Sequence, residues 1–241
     1  MQERSEGVVL RAVDYSETSR IVTFLTPGRG QVACMVKGAR RPGSHTGAAL
    51  DSFNRVEIVY YWKESRSVQT LTEASLLDGF GAIKADFDKG LYGSFILELA
   101  YKLSGEGIAA EEIYAALVNN FEDLTRWTGE PRLHAAWQTL RLLEAGGLAP
   151  AVASCVECGA AVPEGGCKFS MKGGVVCADC SAPHRLRPET RQALAVFSDA
   201  RRACPTETAP SALFTLLSRF AAEQTGAAFR SLQVIEQITR P

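Results

Sequence analysis

The feature that most constrains this chain is a set of four cysteines in two close pairs. Cys155 and Cys158 form the first pair, Cys177 and Cys180 form the second, and 18 residues separate the pairs. Each C-x-x-C turn presents two thiolates to one side of a metal ion, and two such turns complete a tetrahedron. The spacing therefore predicts one structural zinc ion bound by these four cysteines. A redox pair, or cysteines that are simply buried, are the alternatives.

Two neighbouring residues are candidates to replace one of these ligands. Cys167 lies between the two pairs, and His184 follows Cys180 by four residues. Neither belongs to a C-x-x-C turn, so the paired cysteines remain the predicted ligands. The glycine-rich residues between the pairs predict a short hairpin that brings the second pair to the first.

The hydrophobicity pattern predicts two kinds of domain around this module. Residues 1–80 contain five strand-like runs, at 7–15, 19–26, 30–37, 55–62 and about 68–77. Turn signals at 27–30 and 38–47 separate the early runs, as in a small closed barrel of the OB type. From residue 81 onward apolar residues recur at helical spacing, interrupted by the cysteine-rich stretch. We predict an α+β multidomain chain, with an OB-fold domain at 1–80, a helical bundle at 81–153 and 182–241, and a zinc module at 154–181.

The charge is unevenly distributed along the chain. Residues 20–66 hold eight basic and three acidic side chains, a net charge of +5, whereas residues 81–153 hold six basic and ten acidic side chains. The whole chain has a net charge of only -1. The first stretch is therefore the expected binding site for a polyanion.

The centre of the predicted polyanion site is the glycine- and proline-containing loop 37–45. Lys37, Arg40 and Arg41 combine positive charge with backbone N–H groups left free after a strand, which is what phosphate groups bind. Five further cations complete the predicted surface: Arg20, Arg29, Arg55, Lys63 and Arg66. Five aromatic residues are candidates to stack on unpaired bases: Tyr15, Phe53, Tyr60, Tyr61 and Trp62. The alternative is a solvated loop with these aromatics in a core.

Composition and motifs narrow the class of protein. A hydrophobic fraction of 46% with 22% charged residues is typical of globular proteins. The sequence has no run of 18 apolar residues and no secretory signal, so we expect a soluble cytoplasmic protein. Phosphate-loop, zinc-protease and nucleophile-elbow motifs are also missing, so we predict that the protein is not an enzyme. A zinc-ribbon RNA-binding or protein-interaction factor, and a hydrolase or redox enzyme, are the rival interpretations.

Several short segments form a pattern within the β domain: residues 6–10, 15–20, 26–30 and 36–41, followed by Phe53. Together with the helical domain and the cysteine pairs, this pattern resembles the bacterial RecO recombination mediators over essentially the whole chain. The resemblance implies an OB-fold domain that binds single- and double-stranded DNA, a helical bundle and a zinc module. It also implies strand annealing and, together with RecR, help in loading RecA onto DNA coated by single-strand binding protein.

The resemblance further implies that the helical domain docks the acidic, hydrophobic tail of single-strand binding protein. Such a site requires a cation beside an apolar groove, and Lys102, Arg132 and Arg141 are the nearest candidates in the sequence. A DNA-repair role of this kind implies a cytoplasmic, nucleoid-associated protein.

Overall fold

The computed structural model of the chain describes residues 1–41, 43–162, 167–205 and 209–239. Residue 42 of the predicted basic loop and residues 163–166 of the predicted zinc module lie outside the described residues. Within the described part, no helix has both the length and the apolar character needed to cross a membrane.

The chain packs as two compact units. Unit 1 contains Met1–Phe87 and Ala100–Thr125, and unit 2 contains Asp88–Leu99 and Arg126–Pro241. The finer division that the sequence predicts, with boundaries near residues 80, 153 and 181, stays a prediction.

Unit 1 begins with a five-stranded closed barrel, which confirms the predicted fold class. Its strands are β1 Gln2–Asp14, β2 Arg20–Thr26, β3 Gly30–Val36, β4 Arg55–Tyr61 and β5 Gln69–Asp78. They pair in the order β1-β2-β3-β5-β4, and β4 closes the barrel against β1. The β3–β5 pair is parallel and the other pairs are antiparallel.

Alternation along these strands fills the barrel with apolar side chains. Phe24, Ile58 and Tyr60 are among the largest fully buried residues, and Cys34 lies in the same cluster. Burial raises the pKa of the Cys34 thiol to about 12, so this residue is an ordinary core cysteine. The cluster continues into Leu50, which follows α1 (His45–Ala49).

The rest of unit 1 contains α2 (Gly81–Ala85), the ends of α3 (Phe87–Leu103) and most of α4 (Glu111–Arg126). Phe53 and Phe80 both pack edge-on against Phe121 of α4, with ring centroids 5.3 and 5.4 Å apart. Phe53 is buried and has a φ of 75°, so this aromatic belongs to the core rather than to a stacking surface.

Unit 2 combines helices with a small sheet. Its elements are α5 Pro131–Ala145, β6 Lys168–Ser170, β7 Gly174–Val176, β8 His184–Arg185, α6 Pro188–Asp199, α7 Ser211–Thr225 and α8 Arg230–Thr239. Phe95 of α3 contacts Phe214 and Phe229, each with ring centroids 5.4 Å apart. The hairpin predicted between the cysteine pairs is β6–β7, and the sheet order is β7-β6-β8.

Candidate metal centre and nucleic-acid interface

The four paired cysteines meet at one point in unit 2. Their Sγ atoms all lie within 4.8 Å of one another, and those of Cys158 and Cys177 are 3.8 Å apart. A tetrahedral site with metal–sulfur bonds of about 2.3 Å requires sulfur–sulfur distances of about 3.8 Å. The four side chains could therefore hold one metal ion.

Local backbone geometry brings the first pair into position. Gly159 donates its N–H to the Cys155 carbonyl over 2.8 Å, and the Cys155 N–H donates to the Ala160 carbonyl over 2.8 Å. Gly159 has a φ of +76°, a conformation that costs glycine little. The second pair begins at Cys177, directly after β7, so the hairpin sets its place.

The thiols of the cluster have opposed protonation tendencies. A hydrogen bond from the backbone N–H of Cys177 is the main cause that lowers the pKa of Cys155 to about 6. Hydrogen bonds with the neighbouring thiols, led by Cys158, raise the pKa of Cys180 to about 12. Four thiolates this close repel one another, and a divalent cation would offset that repulsion.

The two other candidate ligands have different surroundings. Cys167 is buried, and this burial raises the pKa of its thiol although Arg191 lies beside it. His184 pairs with Phe169 in the small sheet and lines a groove with Met171 and Arg219. Neither residue belongs to the cluster that the structure brings together.

The predicted basic loop lies at one end of the barrel. Lys37, Arg40 and Arg41 are exposed there, and Arg20 is paired with Val36 at the adjacent end of β3. The Arg40 backbone N–H donates to the Thr18 carbonyl over 3.1 Å, which ties this loop to the β1–β2 loop. The structure therefore brings four of the predicted cations together.

Two of these four cations share a carboxylate that sequence reasoning missed. Arg20 Nε lies 2.9 Å from Asp14 Oδ1, and Arg40 Nε lies 3.4 Å from Asp14 Oδ2. Lys37 and Arg41 have no ion pair within the described residues. Only the strand register, which pairs Asp14 with Arg20, could have indicated this contact from the sequence.

Three more predicted cations lie near the β2–β3 and β4–β5 loops. Arg29 pairs with Glu3 over 2.7 Å and stacks on Trp62 at 4.5 Å from the ring centroid. The hydrogen bond from Arg29 lowers the pKa of Glu3. Lys63 and Arg66 are exposed, and their loop backbone is held by the Gln69 side chain, as shown by its bonds to both residues.

The last predicted cation of the barrel, Arg55, has carboxylate partners on two elements of unit 1. It lies 2.6 Å from Glu6 and 3.9 Å from Glu122 of α4, and its hydrogen bond lowers the pKa of Glu6. Tyr114 of α4 also donates to Glu6 over 3.0 Å. Arg55 thus takes part in packing the barrel against α4.

Among the aromatic candidates, two are open to solvent. Tyr15 is 65% exposed in the β1–β2 loop, and Tyr61 is 51% exposed at the end of β4. The strand register places Tyr61 beside Thr70 of β5, and Thr70 beside Met35 of β3. An aromatic ring and an apolar side chain therefore share a row across the barrel.

The chain matches two family models that together cover most of its length. Recombination protein O N terminal matches residues 1–80, and Recombination protein O C terminal matches residues 84–233. The chain belongs to the RecO family. These matches also fit the OB-fold assignment of the barrel.

Curated relatives support the same family. A DNA repair protein RecO of Anaeromyxobacter sp. (strain K) is 35% identical over 176 residues, covering 73% of this chain and 69% of the relative. The Streptomyces avermitilis protein of the same name is 34% identical over 195 residues, covering 78% of both chains. That of Salinibacter ruber is 35% identical over 203 residues, covering 83% and 76%. A role in DNA repair follows from membership of the RecO family.

The three candidate residues for docking a partner lie in different settings. Lys102 belongs to unit 1, where its Nζ lies 5.7 Å from the centroid of the Tyr101 ring. Arg132 in unit 2 pairs with Glu130 over 2.6 Å. Arg141, also in unit 2, is only 12% exposed, and it contacts Glu144 and the carbonyls of residues 197 and 198.

Unit 2 also carries a basic groove that sequence reasoning missed. The groove has a volume of about 430 Å³, and its apolar lining includes Met171, Leu186 and Leu216. Its basic lining consists of His184, Arg185, Arg187 and Arg219. The three arginines have no ion pair within the part of the chain that the structure describes. Its residues come from three distant stretches of sequence, so no local motif could reveal it.

Proposed function

We propose that this RecO-family protein is a non-enzymatic recombination mediator that binds single- and double-stranded DNA on its barrel. The observation that carries the proposal is the group of Arg20, Lys37, Arg40 and Arg41 at one end of the barrel. Cations on neighbouring loops of a closed barrel can follow a phosphate backbone without reading its sequence. DNA as the ligand would place the protein at the nucleoid, in the cytoplasm.

The remaining barrel cations extend this proposed surface. Arg29, Lys63 and Arg66 lie near two further loops, and Arg55 can contribute only where its carboxylates leave a donor free. Tyr15 and Tyr61 are the aromatics with enough exposure to stack on unpaired bases. Annealing would follow because bound cations screen the repulsion between two strands while leaving base edges accessible. In the cell, we propose, this activity works with RecR to load RecA onto DNA coated by single-strand binding protein.

We further propose that the four-cysteine cluster holds one structural zinc ion. Cys155, Cys158, Cys177 and Cys180 would supply four thiolates, which leaves no open coordination position for catalysis. Zinc would neutralise the clustered thiolates and fix the hairpin β6–β7 relative to the first cysteine pair. The metal would therefore brace unit 2 rather than take part in a reaction.

Unit 2 is the proposed docking site for the tail of single-strand binding protein. An acidic, hydrophobic peptide needs cations beside an apolar surface, and the basic groove offers Arg185 and Arg219 beside Leu186 and Leu216. Arg132 and Arg141 remain candidates in the same unit, and Lys102 remains one in unit 1. The groove is favoured because its arginines are free of ion pairs among the described residues.

The test of the DNA-binding proposal is a salt-dependent titration with fluorescent single- and double-stranded DNA. Replacing Lys37, Arg40 and Arg41 by Ala should weaken both equally and flatten the log-affinity against log-salt slope by about 2 to 3 units. The matched control replaces three exposed cations of unit 2, Lys172, Arg202 and Arg230, by Ala. If the two triple variants weaken DNA binding equally, the DNA site does not lie on the barrel loops.

The rival interpretation is a zinc-ribbon factor that binds RNA or another protein. Competition between RNA and DNA for the protein distinguishes the two interpretations. Unlabelled RNA of the same length and sequence should displace the DNA poorly if the barrel serves DNA repair. RNA that competes better than DNA would favour the rival.

A further inference from the structure

Asp14 occupies the place between two of the cations to which we assign DNA binding. Its two carboxylate oxygens face different guanidinium groups: Oδ1 accepts a hydrogen bond from Arg20 Nε over 2.9 Å, and Oδ2 forms an ion pair with Arg40 Nε at 3.4 Å. Asp14 ends β1, and Arg20 opposite it begins β2. The two arginines therefore converge on one oxyanion at the mouth of the β1–β2 loop.

Further contacts hold Arg40 in this position independently of Asp14. Its Nη1 donates to the Ser16 carbonyl over 3.1 Å, and its backbone N–H donates to the Thr18 carbonyl over 3.1 Å. The β1–β2 loop is itself closed by a hydrogen bond from the Tyr15 N–H to the Ser19 carbonyl over 3.0 Å. Loss of the carboxylate should therefore leave Arg40 close to its present place.

A backbone phosphate resembles a carboxylate in presenting two charged oxygens side by side as acceptors. Guanidinium groups bind carboxylate and phosphate oxygens with similar geometry and charge-assisted hydrogen bonds. The Asp14 side chain is 52% exposed, so a phosphate can reach its position, and an exposed ion pair is weak enough to exchange.

We propose that Arg20 and Arg40 form a single phosphate-binding subsite and that Asp14 is its built-in competitor. This inference rests on the proposed DNA-binding function of the barrel. A backbone phosphate displaces the Asp14 carboxylate from both arginines when DNA binds. Asp14 thus lowers the affinity for DNA and makes DNA binding easier to reverse. Easy reversal is what the transfer of a DNA strand from one protein to another requires.

The test compares Asp14→Asn with Glu57→Gln in the full-length protein. Glu57 pairs with Arg4 over 3.2 Å on the same barrel, near the opposite end of β1, so the control makes the same charge change and also frees an arginine. At 0.1 M salt, charges separated by more than about 10 Å are largely screened. Affinity for a fluorescent single-stranded oligonucleotide is measured at several salt concentrations.

Asp14→Asn should tighten binding roughly 2- to 30-fold, because two exposed ion pairs no longer have to be broken. It should also steepen the salt dependence by up to about 1 unit. Glu57→Gln should change affinity by less than about 2-fold, and Asp14→Glu, which keeps the charge, should resemble the wild type. Replacing Arg20 and Arg40 by Ala in the Asp14→Asn background should abolish the gain.

The outcomes separate this inference from the function on which it rests. If the wild type binds DNA and Asp14→Asn and Glu57→Gln change the affinity equally, the competitor role is wrong and the DNA-binding function still stands. If Asp14→Asn binds DNA and the wild type does not, the Asp14 carboxylate competes strongly with phosphate for the two arginines. If neither the wild type nor Asp14→Asn binds DNA at low salt, both proposals fail. Thermal unfolding of each variant shows that it is folded, and Asp14→Ser repeats the charge change if Asn disturbs the strand end.

Discussion

The barrel and the cysteine module reach a defined structure by different means. The barrel encloses a continuous cluster of fully buried side chains, including Phe24, Leu50 and Ile58. The β6–β7 hairpin has strands of only three residues each, with Phe169 as its large buried side chain. Phe169 packs on Phe220 of α7, with ring centroids 5.6 Å apart.

The difference predicts different sources of stability. Burial of apolar area stabilises a closed barrel without any cofactor, whereas so small a sheet buries too little to be stable alone. Four adjacent thiols repel one another once ionised, so the module depends on whatever neutralises them. We expect the two regions to respond independently to loss of metal and to loss of core volume.

The largest expected effect is loss of the metal site. Cys158→Ser should release one zinc per chain and unfold the module, because structural four-ligand sites contribute on the order of 10–16 kcal/mol of apparent binding energy in small peptides. Hydrogen exchange should show lost protection in β6 and β7, while the amides of β1–β5 stay protected. Elemental analysis checks the metal.

The control for this variant is Cys34→Ser, which alters a buried cysteine of the barrel but none of the clustered thiols. It should keep its zinc. Gently purified wild-type protein without metal, or a Cys158→Ser variant with full zinc content, would contradict the structural role of the cluster.

The second prediction perturbs the core of the barrel and follows the effect on the cysteine module. Phe24→Ala should destabilise the barrel by about 3–5 kcal/mol, because a fully buried ring is replaced by a cavity. Zinc content and the protection of the β6–β7 hairpin should stay unchanged. Urea unfolding followed by hydrogen exchange measures both. Release of zinc at the midpoint of the barrel transition would show that the regions are coupled.

The barrel was predictable from sequence because its signals are local. Alternation and turn residues placed four of the five strands within about two residues of their ends. The start of β1 was missed because Glu3 and Arg4 do not look apolar, although they pair with β4. The start of helix α1 was predicted as part of a turn, because its five residues include a glycine and two alanines and give little helical periodicity.

The cysteine cluster was predictable for a related reason, because each C-x-x-C turn by itself places its two thiols side by side. The surroundings of the cations were not predictable. Asp14 meets Arg40 only after three strands have folded, and the basic groove joins Met171, Leu186 and Arg219 from separate elements. Ion pairs and grooves of this kind are tertiary properties without a sequence spacing.

The third prediction concerns the basic groove, which is lined by residues of the module and of the helices. Replacing Arg185 and Arg219 by Ala should weaken binding of a fluorescent peptide, the acidic tail of single-strand binding protein, by about tenfold. Cys158→Ser should weaken it as well, because His184 and Met171 belong to the same small sheet and its turn. Fluorescence anisotropy with the full-length protein measures the affinity.

The control for the groove is the pair Lys172→Ala and Arg230→Ala, two exposed cations that do not line it. Equal losses in both double variants would indicate a general charge effect. If the peptide affinity is unchanged without Arg185 and Arg219, the groove is not the docking site and Arg132 and Arg141 become the next candidates.

The smallest expected effect is electrostatic and lies within the barrel. Glu3 is mostly buried and accepts hydrogen bonds from Arg29 at 2.7 Å and from the Tyr60 hydroxyl at 3.1 Å. The bond from Arg29 is the main cause that lowers the pKa of Glu3 below its usual value of 4.5. A carboxylate with a lowered pKa stabilises the fold above its unfolded pKa, and this contribution is lost as the pH falls through the folded pKa.

Glu3→Gln should therefore destabilise the barrel by about 1 kcal/mol at pH 7, and this difference from the wild type should shrink as the pH falls below about 4. The matched control is Glu57→Gln, whose pair with Arg4 is more exposed and should contribute less. Urea unfolding at a series of pH values measures the free energies of both variants. If the difference in unfolding free energy between the wild type and Glu3→Gln stays constant from pH 7 to low pH, Glu3 stabilises the barrel through packing rather than through its charge.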